Sequence, residues 1–209
     1  MWLDIISIGL SALLSGLSIF IAIRAYKQGT KQIEISNKQS LFKERTNAFL
    51  QLNSLYEIYR QNNHLLDGSG SVPEVPFHMF TNNKFLEGAI SVAYNPLSSK
   101  EQNIFLIKME ELREIALQVS LLWDVEQAKI ASDFVYGYVE LLCALYRQCI
   151  CVDKLRKQKN INLTEAKQSI DESAQEGGLN DAIKLIAELY NRMKENNVLN
   201  TLKEQIKLK

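Results

Sequence analysis

Four cations in six residues, Lys154, Arg156, Lys157 and Lys159, close a long helix-forming stretch, and Arg147 lies about two turns before them. Two chemistries fit this spacing. A helix C-terminus carries partial negative charge and attracts cations with no ligand involved. The same residues can also hold an anion, with Arg gripping a phosphate through its fork and Lys acting as a point charge. A patch this short suits a nucleotide or a short oligonucleotide better than duplex DNA. Elsewhere the chemistry-bearing residues are sparse. His64 and His78, the two histidines, have no Cys or carboxylate at ligand spacing. Cys143, Cys149 and Cys151 are an odd set on one helical stretch, which excludes a disulfide framework. Cys149 and Cys151 fall about 200° apart on a helix and cannot chelate one metal together. Adjacent carboxylates such as Glu110 and Glu111 read as solvated helix surface. With no Gly-rich phosphate loop, HExxH, GxSxG or CxxC, the chain reads as a non-enzyme without a metal or cofactor site.

The second group is hydroxylic. Ser7, Ser11, Ser15 and Ser18 fall, with Ala22, inside an arc of about 80° on a helix. Gly9, Ala12 and Gly16 occupy the opposite side, and Leu10, Leu13, Leu14, Leu17, Phe20 and Ile21 fill a broad third face suited to lipid. Serines in such a setting bond their own i−4 carbonyls, pack against a neighbouring helix, or line a water-filled axis. A ring of helices would use the glycine seam for close packing and turn the hydroxyls inward. All three readings are open from the spacing.

The element that positions these serines is the uncharged run Ile5–Ile23, 19 residues long. At about 1.5 Å per residue it spans roughly 28 Å, close to the ~30 Å apolar thickness of a bilayer. It is not built like a signal peptide, because Asp4 precedes it and no small-x-small exit follows. Arg24, Lys27 and Lys31 flank its C-terminal end, and Trp2 and Tyr26 stand at the two interfaces. The positive-inside rule then predicts the inner (cytoplasmic) membrane, a single pass, the N-terminus outside and the remainder in the cytosol. Reduced, partly buried thiols agree with that compartment.

The rest of the chain is long enough for one core. Residues 1–66 carry seven Lys/Arg against four Asp/Glu, and residues 67–209 carry 17 against 20, which is no footprint of a general DNA-coating protein. Four regions are predicted: 1–27, membrane helix and basic flank; 28–66, a polar Lys/Gln-rich stalk and the first long helix; 67–82, a loop opened by DGSGSVPEVP; and 83–209, the remaining helices. Leu41, Phe42, Ala48, Phe49, Leu52, Leu55, Tyr56 and Tyr59 recur with helical spacing. A short helix is expected around Asn83–Val92, and the Ser98–Glu101 capping spacing predicts a long one to about Trp123. Another is expected over Val125–Lys157 with its middle in the core, then one begun by Asn162 and Glu165 and ended at Gly177-Gly178, then one or two over Leu179–Leu208. No useful strand alternation occurs. The fold class is all-α: a single N-terminal transmembrane helix followed by a cytosolic helical bundle.

A spanning helix Ile5–Ile23, a basic flank and a helical domain without catalytic motifs resemble the membrane ion-channel effectors of bacterial phage-defence systems, of the Hailong type. The resemblance implies an oligomeric, ligand-controlled ion channel in antiviral defence; because a lone helix cannot enclose water, a homo-oligomer is expected, with a tetramer favoured. It also implies short DNA oligomers as ligand and a partner nucleotidyltransferase that makes them, with membrane lipid around the helices. The serine stripe would line the pore. A membrane-tethered helical scaffold or sensor recruiting a cytosolic protein partner fits the same layout.

Overall fold

The chain has no proline before Pro73 or after Pro96, so its long apolar-periodic stretches meet no backbone break. In the computed structural model they are helices. The structure describes residues 2–66, 73–158 and 162–206, and the side chains of Leu3, Asp4, Ile5, Ile8, Ala12 and Leu163 lie outside that description. Among the described residues there is no strand. The α-helices are α1 (Trp2–Asn62), α2 (Glu74–Phe80), α3 (Ser91–Tyr94), α4 (Ser99–Leu122), α5 (Glu126–Lys157), α6 (Leu163–Glu176), α7 (Leu179–Glu195) and α8 (Val198–Glu204), with one 3-10 turn over Asn63–Leu66.

The chain divides into two units, Met1–Lys43 and Glu44–Lys207. The first is the N-terminal part of α1. An 18-residue apolar window in it has mean hydropathy 1.5 and none of it is buried. Leu10, Leu13, Leu14, Leu17, Phe20 and Ile21 are all more than half exposed. The polar stretch 30–40 is helical and exposed throughout, with Glu34 and Lys38 paired at 3.1 Å one turn apart.

The second unit is built around α5. Phe134, Val135, Tyr138, Val139, Leu141 and Leu142 are fully buried there, and α4, α7, α6, α8, α2 and α3 all pack against the helix. α5 is as apolar as a membrane span, at mean hydropathy 1.2, but 67% of that window is buried inside the unit. It is a core helix. From α1, Ala48, Leu52, Leu55 and Tyr59 point into the same core at spacings of four, three and four. The Tyr59 ring meets Phe134 of α5 edge-on at 6.2 Å and Tyr190 of α7 at 5.0 Å, and Tyr56 stacks on Tyr190 at 5.0 Å.

α5 and α7 pack closely at Gly137, where a Cβ would lie 2.6 Å from Leu189 Cδ1 and 3.4 Å from Ile186 Cδ1. A branched side chain there must displace the Leu189 side chain or α7 itself. Gly137→Val is expected to cost about 2 kcal/mol or more by overpacking, measurable as a lowered unfolding midpoint. An unchanged midpoint would mean that the Leu189 side chain or α7 is free to retreat.

Two tyrosines of α5 hold the irregular region before α4. Tyr138 Oη donates to Phe80 O and Tyr146 Oη to Pro96 O, both at 2.6 Å. Within that region the chain departs from the expected pattern. A helix, α2, occupies Glu74–Phe80 inside the stretch read as a loop over 67–82. Its Pro76 falls in the first turn, where no intrahelical N–H is needed, and Phe77 and Phe80 are fully buried. The helix expected around Asn83–Val92 is instead a series of turns followed by the four-residue α3. Asn83 Oδ1 accepts from Leu86 N at 2.7 Å, closing a turn, and Gly88 at φ +91° cannot continue a right-handed helix. The two sequence-marked helix starts fall where expected, but only one is capped as its spacing promises. Asn162 and Glu165 form a reciprocal capping box on α6. At α4, Ser98 Oγ bonds the Glu101 carboxylate rather than a backbone N–H.

Candidate functional site

Ser7, Ser11, Ser15 and Ser18 are all helical and exposed on the first unit. Ser15 Oγ donates to Ser11 O and Ser18 Oγ to Leu14 O, each at 2.8 Å. These are the i−4 back-bonds that serine makes within a helix. A hydroxyl that donates in this way still offers its oxygen lone pairs outward. Ser15 and Ser18 thus present acceptors outward, which suit cations or water better than anions. No Cβ placed on Gly9 or Gly16 would meet any atom within 4 Å, so that side is open to close approach by another helix.

The cation cluster is drawn into separate tasks. Arg147 Nε donates to Gly177 O at 2.9 Å, tying α5 to the turn between α6 and α7. Arg156 Nη1 pairs with Glu74 Oε1 of α2 at 2.6 Å, and Lys157 pairs with Asp153 one turn back at 2.6 Å. Lys154 is exposed. Lys159 lies outside the described residues. Arg147 therefore has a structural bond of its own, while Lys154, Arg156 and Lys157 keep charged heads at the surface near the end of α5.

The Arg156–Glu74 pair is asymmetric. The Glu74 side chain is only 9% exposed and that of Arg156 58%, so the carboxylate lies beneath and the guanidinium above. Glu74 Oε2 is buried without a hydrogen-bond partner. The contact is one-armed, which leaves most of the guanidinium fork unspent. Beside it His78, Val75, Met79 and Tyr94 complete a cleft of about 400 Å³. His78 is on α2 and lines this cleft. Glu74 carried no sequence signal, because its partner is 82 residues away.

The other titratable groups belong to the packing. Glu110 pairs with Arg113 at 2.6 Å and Glu111 with Lys108 at 2.7 Å, so these carboxylates are ion-paired surface. Cys143 and Cys151 are half-buried, with Cys151 Sγ donating weakly to Ser169 O of α6 at 3.7 Å. Cys149 is buried; burial, and then the negative charge of Glu74, push its thiol from the ordinary 9.0 up to about 12. Burial, and then the hydrogen bond to Tyr190, push the Tyr56 phenol from 10.0 to about 12. Each group keeps its proton in the folded state at a pH where the unfolded chain has lost it. Stability is therefore full below about pH 9 and falls as pH rises from 9 towards 12. Denaturant midpoints across that range are expected to drop, and Cys149→Ala to shallow the slope. A flat profile would contradict the burial of both groups.

Among the described residues no three His, Cys, Asp or Glu side chains come together as a metal site. No known protein family, characterised protein or solved structure matches the chain.

Proposed function

We propose that the chain is an oligomeric single-pass membrane effector: residues 5–23 cross the inner membrane, and the helical unit in the cytosol controls an ion channel formed by several copies. The observation that carries this reading is the wholly unburied apolar window of the first unit. In water its leucines and isoleucines would each forgo on the order of 1 kcal/mol or more of burial, whereas lipid and sister helices cover them. One helix cannot enclose water, so conduction requires a homo-oligomer, with a tetramer favoured. The serine acceptors face the axis, and the Gly9–Gly16 side supplies the close helix contact. Antiviral defence, a short DNA oligomer as ligand and a nucleotidyltransferase partner follow from the resemblance to Hailong-type effectors. Lys154, Arg156, Lys157 and Lys159 are the residues that would meet the oligomer's phosphates, with Arg147 behind them.

The full chain reconstituted in lipid vesicles is expected to pass ions. In intact cells an impermeant thiol reagent is expected to leave Cys143 and Cys151 unlabelled until the membrane is opened. A monomer in mild detergent that passes no ions, or labelling from outside, overturns the proposal.

A membrane-tethered scaffold is the second reading, and α4 favours it. Leu106, Ile107, Leu117 and Leu121 are exposed on that helix, Leu121 at 75%, a concentration of apolar surface that a protein partner would cover. Leu117→Asp with Leu121→Asp separates the two readings. It abolishes cellular activity with no ion flux to lose in the scaffold, and leaves vesicle flux intact in the channel.

A further inference from the structure

The cleft beside Arg156 has the parts of a small-molecule site and not only of a helix end. It lies between α2, α3 and the last turns of α5, and its volume of about 400 Å³ is within the usual range for small-ligand clefts, about 300–1,000 Å³. The Glu74 carboxylate, paired with Arg156, is part of its lining, and the remaining walls are of two kinds. Val75, Met79 and Tyr94 are apolar or aromatic, and Tyr94 exposes 62% of its surface at the mouth. Arg156 and His78 are the nitrogen donors. The negative charge of Glu74 is buried beneath Arg156 and engages only one of its nitrogens, so the positive end of that pair faces outward.

We infer that this cleft binds a small ring-bearing phosphate, its flat apolar body against Tyr94, Val75 and Met79 and its anionic group on Arg156 and His78. A guanidinium recognises phosphate oxygens through its fork, and an exposed tyrosine offers a stacking face. Neither part alone selects strongly. A bare phosphate leaves the apolar wall wet, and a neutral ring leaves Arg156 unanswered. A terminal nucleotide is one ligand of this class and an aromatic phosphate metabolite is another. The inference rests on the proposed function only in sharing Arg156, since it places one phosphate and one ring in a walled cleft rather than a polyanion across the end of α5.

The experiment titrates the full chain in detergent micelles by calorimetry with phenyl phosphate, thymidine 5′-monophosphate, thymidine and inorganic phosphate. Phenyl phosphate is expected to bind at least tenfold more tightly than inorganic phosphate. A nucleotide as the natural ligand predicts that thymidine 5′-monophosphate exceeds phenyl phosphate; the reverse order indicates a simpler aromatic phosphate. Tyr94→Ala is expected to weaken binding roughly tenfold and Tyr94→Phe to retain it. The Glu74→Gln/Arg156→Gln double variant, which leaves no unpaired charge, is expected to abolish binding. Equal affinity for phenyl phosphate and inorganic phosphate, or full binding by Tyr94→Ala, overturns the inference; if the double variant fails to fold, the Tyr94 pair decides. Ion flux that responds to a DNA oligomer through Lys154 and Lys157 while phenyl phosphate does not bind would overturn the cleft and leave the channel standing. Phenyl phosphate binding in a chain that passes no ions would do the opposite.

Discussion

Replacing Ser11 and Ser15 together by leucine is expected to bring ion flux through reconstituted vesicles down to the level of protein-free lipid, with no change in oligomer mass. The reason lies in what the serines offer an axis. Ser15 and Ser18 already spend their protons on carbonyls of the preceding turn, so their oxygens supply acceptor sites to water or a cation. Two leucines on that arc remove two of its four hydroxyls and narrow the lumen, and a narrow apolar constriction gates by excluding water. The glycine side and the leucine face are untouched, so assembly should persist. Ser11→Thr with Ser15→Thr keeps the hydroxyls and is expected to keep flux. If the leucine variant conducts like the parent, the serines do not face the axis.

The parts of this molecule legible in its sequence are those governed by local rules. Asn162 and Glu165 are three residues apart, and the capping box they promise is formed. The apolar content of α5 around most of its circumference marks a core helix, and it is buried as one. Of the eight-residue stripe read from spacing, Ala48, Leu52, Leu55 and Tyr59 are buried and Phe49 and Tyr56 half-buried, but Leu41 and Phe42 are exposed. What was not legible depends on partners distant in the chain. Prolines and glycines around residue 70 outweigh the two phenylalanines that make α2 worth forming, since Phe77 and Phe80 gain only when α4 and α5 are already in place. For the same reason four cations within six residues look like one patch. Nothing in the sequence says that Arg156 will be bound by a buried glutamate on another helix, or Arg147 by a turn 30 residues on. Spacing tells which residues share a face, and long-range packing decides which of them remain available.

Arg45 carries this furthest, because no pattern distinguishes it from its charged neighbours, yet it binds the ends of two other helices. Its Nε donates to Leu122 O at the end of α4 at 2.8 Å, and its Nη1 donates to Gln205 O just past α8 at 3.1 Å. The guanidinium also lies 5.8 Å over the Trp123 ring, whose own Nε1 donates to Leu202 O at 3.2 Å. Carbonyls at helix C-termini lack intrahelical donors and carry the negative end of the dipole, so a cation answers both deficits. Hydrogen bonds to charged groups contribute about 1.5–3 kcal/mol each, and Arg45 is only partly buried, so the lower figure applies to both bonds. Arg45→Ala is therefore expected to cost about 3 kcal/mol, lowering the unfolding midpoint of the helical unit by roughly 6–12 °C. Arg45→Lys can reach one carbonyl but lacks the fork that spans two, and is expected to recover less than half of the loss. Trp123 reports the event directly. It is 2% exposed while Trp2 is 79% exposed, so release of α8 shifts the blue component of the fluorescence to the red before the helical signal is lost. A midpoint within about 2 °C of the parent would show that water satisfies both carbonyls as well as Arg45 does.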